Sequence, residues 1–108
     1  MLTEKEITRI IEKIVERIQP DKIIMFGSYA KGKETQKSDL DLFIIKETHL
    51  PMRQRNVEIK PIVANLIINV DLHVYTAEEI REYGAEQYSF IHSILKTGRV
   101  VYERNNSS

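Results

Sequence analysis

The chain has 108 residues, 42% hydrophobic and 30% charged, enough apolar material for one domain with a core and too much for a disordered chain. Lys plus Arg is 16 and Asp plus Glu is 16, so the net charge is zero, which argues against sequence-independent nucleic-acid binding through a positive face. The absence of cysteine excludes disulfides, thiolate metal sites and Cys nucleophiles, and suits a reducing cytoplasm.

The opening "MLTEKEITRI" lacks the basic-then-apolar order of a signal peptide. Thr3 and Glu6 have capping-box spacing, and Ile7, Ile10, Ile11, Ile14, Val15 and Ile18 follow at helical spacing, so an amphipathic helix is expected up to Pro20. "KIIMF" (22–26) reads as a buried strand ended by Gly27. Ser28-Tyr29-Ala30-Lys31 can begin a short helix, and residues 28–38 form a polar loop with a second glycine, Gly32. "DLDLFII" (39–45) is the next strand, its period of two setting Asp39 and Asp41 on one face. Pro51 to about Leu66, with apolar Met52, Ile59, Ile62, Val63 and Leu66, is expected to be helical, kinked at Pro61 or split in two. Its run 62–68 falls far short of the roughly 18 residues a membrane span needs, so no membrane partner is expected.

"NVDLHVY" (69–75) is a third strand, with Asp71 near its start. Thr76 and Glu79 repeat the capping-box spacing and open a predicted helix from Ala77 to about Lys96, ended by Gly98. Its buried side is expected to hold Ile80, Tyr83, Tyr88, Ile91, Ile94 and Leu95. Tyr88, Ile91 and Leu95 would serve a core or a subunit contact equally well, which leaves a homo-oligomer open. "VVYE" (100–103) reads as an edge strand, and residues 105–108 as a frayed tail after a single domain, 1–104. The order predicts a compact α/β domain with three core strands, or four with the edge.

A carboxylate on a strand between apolar residues is costly unless paired or bound to a metal, and two on one face raise each other's pKa. A hard divalent cation relieves both problems, and magnesium takes one or two carboxylates together with phosphate oxygens. Asp71 could bring a third carboxylate, enough for two metals flanking a phosphoryl displacement. An isolated Asp-x-Asp also commonly marks a solvated strand edge. The strand–Gly27-Ser28 turn aims backbone N–H groups at one point, a ready phosphate cradle, with Lys31, Lys33 or Lys37 near to neutralise charge. Such turns also carry Gly-Ser for geometry alone, and "GSYAKGKE" lacks P-loop spacing.

Together, Gly27-Ser28 followed after residues 29–38 by Asp39-x-Asp41 resembles the signature of the DNA polymerase β-type nucleotidyltransferases. "GSYAKGKETQKSDLDLFII" and the closing "FIHSILKTGRVVYE" are similar to its small prokaryotic branch, the minimal nucleotidyltransferases (MNT). The resemblance implies a small polymerase β-like α/β fold, a mixed sheet of three to four strands flanked by helices. It implies nucleotide binding at Gly27 and Ser28, with Lys31 and Ser38 as further candidates, and two Mg2+ ions on Asp39 and Asp41. Asp71 would match the third carboxylate, which helps activate the acceptor hydroxyl. The branch often has arginine at the place of Lys31, so the bidentate fork is missing here.

The resemblance further implies an enzyme moving AMP from ATP to an acceptor hydroxyl. In toxin–antitoxin pairs of this branch the acceptor is a tyrosine of a HEPN toxin, which the transfer neutralises. No residues are left for an acceptor-binding domain, so a protein partner is expected to supply the acceptor. A non-catalytic antitoxin acting by contact alone is the alternative. "HVY" (73–75) is similar to the end of the HEPN ribonuclease motif, but Leu66, Ile67 and Ile68 stand where its arginine should. His73 is therefore expected as a strand residue beside the site or a core neighbour, and His49 and His92 have no metal-ligand spacing. Tyr83, Tyr88 and Tyr102 read as core or interface aromatics, and Tyr29 as the one aromatic placed to stack on a base.

Overall fold

The computed structural model describes residues 2–86 and 89–104; the expectations for Tyr88 and the 105–108 tail lie outside them. Helix α1 spans Glu4–Ile18. The Thr3 hydroxyl accepts from the Glu6 N–H at 3.2 Å, and the Thr3 N–H donates to the Glu6 carboxylate at 3.0 Å, closing the predicted capping box. Ile7, Ile10, Ile11, Ile14 and Ile18 are all buried, each worth about 2 kcal/mol in gross transfer free energy. The helix stops at Gln19, whose φ of 48° is left-handed, and Lys46 Nζ donates to the freed Ile18 carbonyl at 2.7 Å.

Strands β1 (Lys22–Phe26), β2 (Leu40–Ile45), β3 (Val70–Tyr75) and β4 (Arg99–Glu103) form one sheet in the order β3-β2-β1-β4. The β1 pairings with β2 and β4 are antiparallel, and β2 runs parallel to β3, so the sheet is mixed as expected. One face meets α1: Ile23, Met25, Leu40, Leu42, Ile44 and Val74 join the helix isoleucines in the main core. On the opposite face Ile24 and Phe43 pack against Ile91 and Ile94.

Residues 51–66 follow the split alternative rather than the kinked one, as a single 3-10 turn, Met52–Gln54, and a short α2, Lys60–Val63, with the break before Lys60 rather than at Pro61. Pro61 lies in the first turn of α2, where its missing N–H costs nothing. Of its apolar residues Ile59 is fully buried, whereas Met52 is exposed.

The predicted 77–96 helix is two, α3 (Ala77–Tyr83) and α4 (Phe90–Thr97). Gly84 ends α3 with its N–H on the Ile80 carbonyl, and a Cβ there would clash with that carbonyl and press on Leu95. Ser89 starts α4 by accepting from the His92 N–H at 3.0 Å, and His92 Nδ1 donates back to the Gly84 carbonyl at 3.0 Å. The break turns Tyr83 and Leu95 outward, so neither is in the buried side expected of them. Among the described residues no helix is long and apolar enough to cross a membrane.

Candidate active site

Strand register builds the site. Phe26 of β1 lies opposite Asp41 of β2, and Asp41 lies opposite Asp71 of β3, so the three share one row on the α4 face of the sheet. Parallel pairing at Asp41 and Asp71 sets two carboxylates side by side on neighbouring strands. The Asp41 carboxyl is pushed up to about 6. Burial is the largest cause, followed by a hydrogen bond to Asp71 and then the charges of Asp71 and Asp39. Asn69 Nδ2 donates to Asp71 Oδ1 at 2.9 Å and steadies that side chain.

Asp39 sits one residue before β2, in the loop rather than in the strand expected from 39, yet its charge reaches Asp41. Among the described residues no three carboxylates or imidazoles close on a single point. The chemistry of the donor set nevertheless suits a hard cation: Asp41 and Asp71 offer adjacent oxygens whose mutual repulsion a divalent charge would relieve.

At the end of β1, Gly27 has φ 77°, a left-handed conformation, and a Cβ built on it would land on the Asp41 carboxylate. Any larger residue would have to displace that side chain. Ser28–Lys31 forms one hydrogen-bonded turn rather than a helix. Gly32 (φ 67°) closes it, with its N–H on the Tyr29 carbonyl and the Lys33 N–H on the Ser28 carbonyl at 2.9 Å. Among the described hydrogen bonds, the N–H groups of Ser28, Tyr29 and Ala30 donate to nothing, as the first donors of a turn do.

Ser38 is occupied within its own loop: its hydroxyl accepts from the Thr35 N–H at 2.8 Å. Lys31, Lys33 and Lys37 are exposed on this loop. Tyr29 does not stand ready for a base. It is 6% exposed in the α1 core, its hydroxyl accepting from the Leu2 N–H at 3.0 Å.

Sequence reasoning missed two supports. Asn69, two residues before Asp71, is a signal only once the pairing is known. Arg55 reaches Glu79 in a two-pronged ion pair (2.6 and 3.0 Å) and donates to the Val74 carbonyl at 3.1 Å, tying the crossover to β3 and α3. A groove of about 820 Å3 lies between α1 and β4, lined by Ile7, Ile11, Met25, Tyr29 and Tyr102 among others. It holds none of the aspartates, so the carboxylate row is the better candidate for chemistry.

Residues 8–107 match the family model described as Polymerase beta, Nucleotidyltransferase. The chain belongs to that family. It is a nucleotidyltransferase. Two relatives are Methanocaldococcus jannaschii proteins named as candidate protein adenylyltransferases, MJ1305 and MJ0604. They are 27% identical over 97% of this chain and 78% of the relative, and 29% identical over 75% and 77%. Two solved structures share the fold. A candidate nucleotidyltransferase from Sulfolobus solfataricus has a TM-score of 0.64 at 17% identity, over 93% of this chain and 79% of that one. A toxin–antitoxin crystallised with AMP-PNP has a TM-score of 0.66 at 21% identity, over 91% and 74%.

Proposed function

We propose that the chain is a metal-dependent adenylyltransferase that moves AMP from ATP to a tyrosine hydroxyl of a HEPN-type toxin and neutralises it. The observation that carries this reading is the Asp41–Asp71 pair, held side by side on parallel strands next to the Gly27-Ser28 turn. The adenylyltransferase names of the relatives and the toxin–antitoxin neighbour favour a protein acceptor and a toxin partner. The zero net charge fits a protein acceptor better than a polynucleotide.

In this mechanism the undonated N–H groups after Gly27, with the Ser28 hydroxyl, take the triphosphate oxygens. Asp41 and Asp71, with Asp39 on the loop just before β2, are the residues that would hold Mg2+, two ions in the full complement. A metal held by these carboxylates would supply positive charge to offset that developing on the reacting phosphate. The tyrosine oxygen bonds to the α-phosphorus while the bond from that phosphorus to the bridging oxygen breaks. Pyrophosphate leaves with the electron pair, and the phenolic proton passes to Asp71. Asn69 holds that carboxylate in place.

The test is transfer of label from ATP labelled at the α-phosphate to proteins encoded beside the gene, with magnesium present, for wild type and the Asp39→Asn/Asp41→Asn double variant. Label on a tyrosine of a neighbour, and only with wild type, is the expected result. Equal neutralisation of the toxin by both proteins without label would replace this reading with a non-catalytic antitoxin that works by contact.

A further inference from the structure

Beside the carboxylates stands a group of rings that the nucleotide chemistry above does not use. Phe26 ends β1 in the carboxylate row, His73 follows Asp71 by two residues on the same face, and Phe90 is the first residue of α4. Phe26 and Phe90 meet edge to face at 5.6 Å and 81°. His73 lies 5.4 Å from Phe90 and 5.7 Å from Phe26. Phe90 is 50% exposed although the next residue, Ile91, and Ile94 of the same helix are buried. The helix is thus seated without it. Among the described hydrogen bonds the His73 imidazole makes none, so in this group it acts as a ring.

We propose that Phe26, His73 and Phe90 form the acceptor wall of the site, the surface on which the ring of the acceptor tyrosine lies while its hydroxyl faces the Asp41–Asp71 pair. This inference rests on the tyrosine-directed reading above. Displacement at phosphorus is in line, so the entering oxygen and the departing pyrophosphate lie on opposite sides of the phosphorus. The Gly27-Ser28 turn continues from Phe26 on one side of the row Phe26–Asp41–Asp71, and His73 lies on the next same-face row on the other side, away from the turn. With the triphosphate tail on the turn, the acceptor enters over the His73–Phe90 side. An aromatic acceptor gains there an edge-to-face contact that an aliphatic hydroxyl does not. The ring chemistry alone would equally suit the adenine base, and only the in-line geometry assigns it to the acceptor.

The test compares wild type with Phe90→Ala, Phe90→Leu, Phe90→Tyr and His73→Phe. It uses the toxin encoded beside the gene as acceptor, and measures both the acceptor KM and the Kd for Mg-ATP. Phe90→Leu keeps the apolar bulk and guards against a folding defect in Phe90→Ala. The expected result is an acceptor KM raised about fivefold to tenfold in both ring-less variants, with the Mg-ATP Kd within about twofold of wild type. Phe90→Tyr and His73→Phe keep their rings and stay near the wild-type KM.

A Kd for Mg-ATP that weakens in step would assign the rings to the base and overturn the proposal. An unchanged acceptor KM would reduce them to packing and also overturn it, while tyrosine labelling by wild type would leave the adenylyltransferase reading standing. If wild type itself labels no tyrosine, that reading falls and the acceptor wall with it.

Discussion

The two faces of the sheet are built to different ends. Against α1, five isoleucines meet Ile23, Met25, Leu40, Leu42 and Ile44. Against α4, the fully buried residues among those described are Ile24, Phe43, Ile91 and Ile94, and past their edge run Asp41 and Asp71 beside half-open aromatic rings. Alternation along β2 produces both: Leu40, Leu42 and Ile44 point one way, Asp41 and Phe43 the other. One face supplies stability, and the other gives some of it up to hold like charges together.

Variants should separate the faces. Asp41→Asn is expected to lower AMP transfer by about a thousandfold or more, measured as label on the toxin, because it removes the central oxygen donor. The metal-free variant should melt no lower than wild type, since a repelling charge has gone. Ile14→Ala does the reverse: a cavity in the α1 core should cost about 3 to 4 kcal/mol in chemical denaturation and leave Mg-ATP affinity per folded molecule unchanged.

Arg55→Ala should cost about 2 to 3 kcal/mol by the same measurement. It strands Glu79, whose side chain is 24% exposed against 9% for Arg55. Glu79 is held below its ordinary value chiefly by its hydrogen bond to Arg55. The stability this pair gives is therefore present at neutral pH and lost on acidification through the lowered value, a loss that Arg55→Ala should flatten.

The smallest expected effect has the opposite sign. In metal-free protein the Asp41 carboxyl keeps its proton up to about pH 6, whereas the unfolded chain releases it near 3.8. The unfolded state binds fewer protons in that window, so this carboxyl's contribution to stability is fully present below about pH 3.8 and lost as pH rises through about 6. Melting temperatures should fall more steeply between about pH 4 and 6 in wild type than in Asp41→Asn, the difference being this carboxyl's contribution.

The strands, the first helix and the Gly27-Ser28–Asp39-x-Asp41 arrangement were legible because each rests on local chemistry: a capping box, a period of two, a glycine after a buried run. What sequence could not supply came from packing. Nothing in the apolar spacing of 77–96 separates one helix from two, because Ile80, Ile91 and Ile94 stay inward-facing either way; Gly84 and the Ser89 cap decide it. Tyr29 reads as a loop aromatic, yet the turn closed by Gly32 carries it under α1. The Arg55–Glu79 pair spans residues that no local pattern joins. Asp71 was suggested by its strand context and gains its meaning from parallel register with Asp41.

In the proposed reaction the Asp41–Asp71 pair, two like charges held side by side, receives a cation and a triphosphate. The most direct measurement of this is the melting temperature of wild type and Asp41→Asn, each with and without magnesium and a non-hydrolysable ATP analogue. Wild type is expected to start no higher than the variant and to rise by several degrees with both ligands, while the variant does not respond. Equal shifts in the two proteins, or none in wild type, would contradict it.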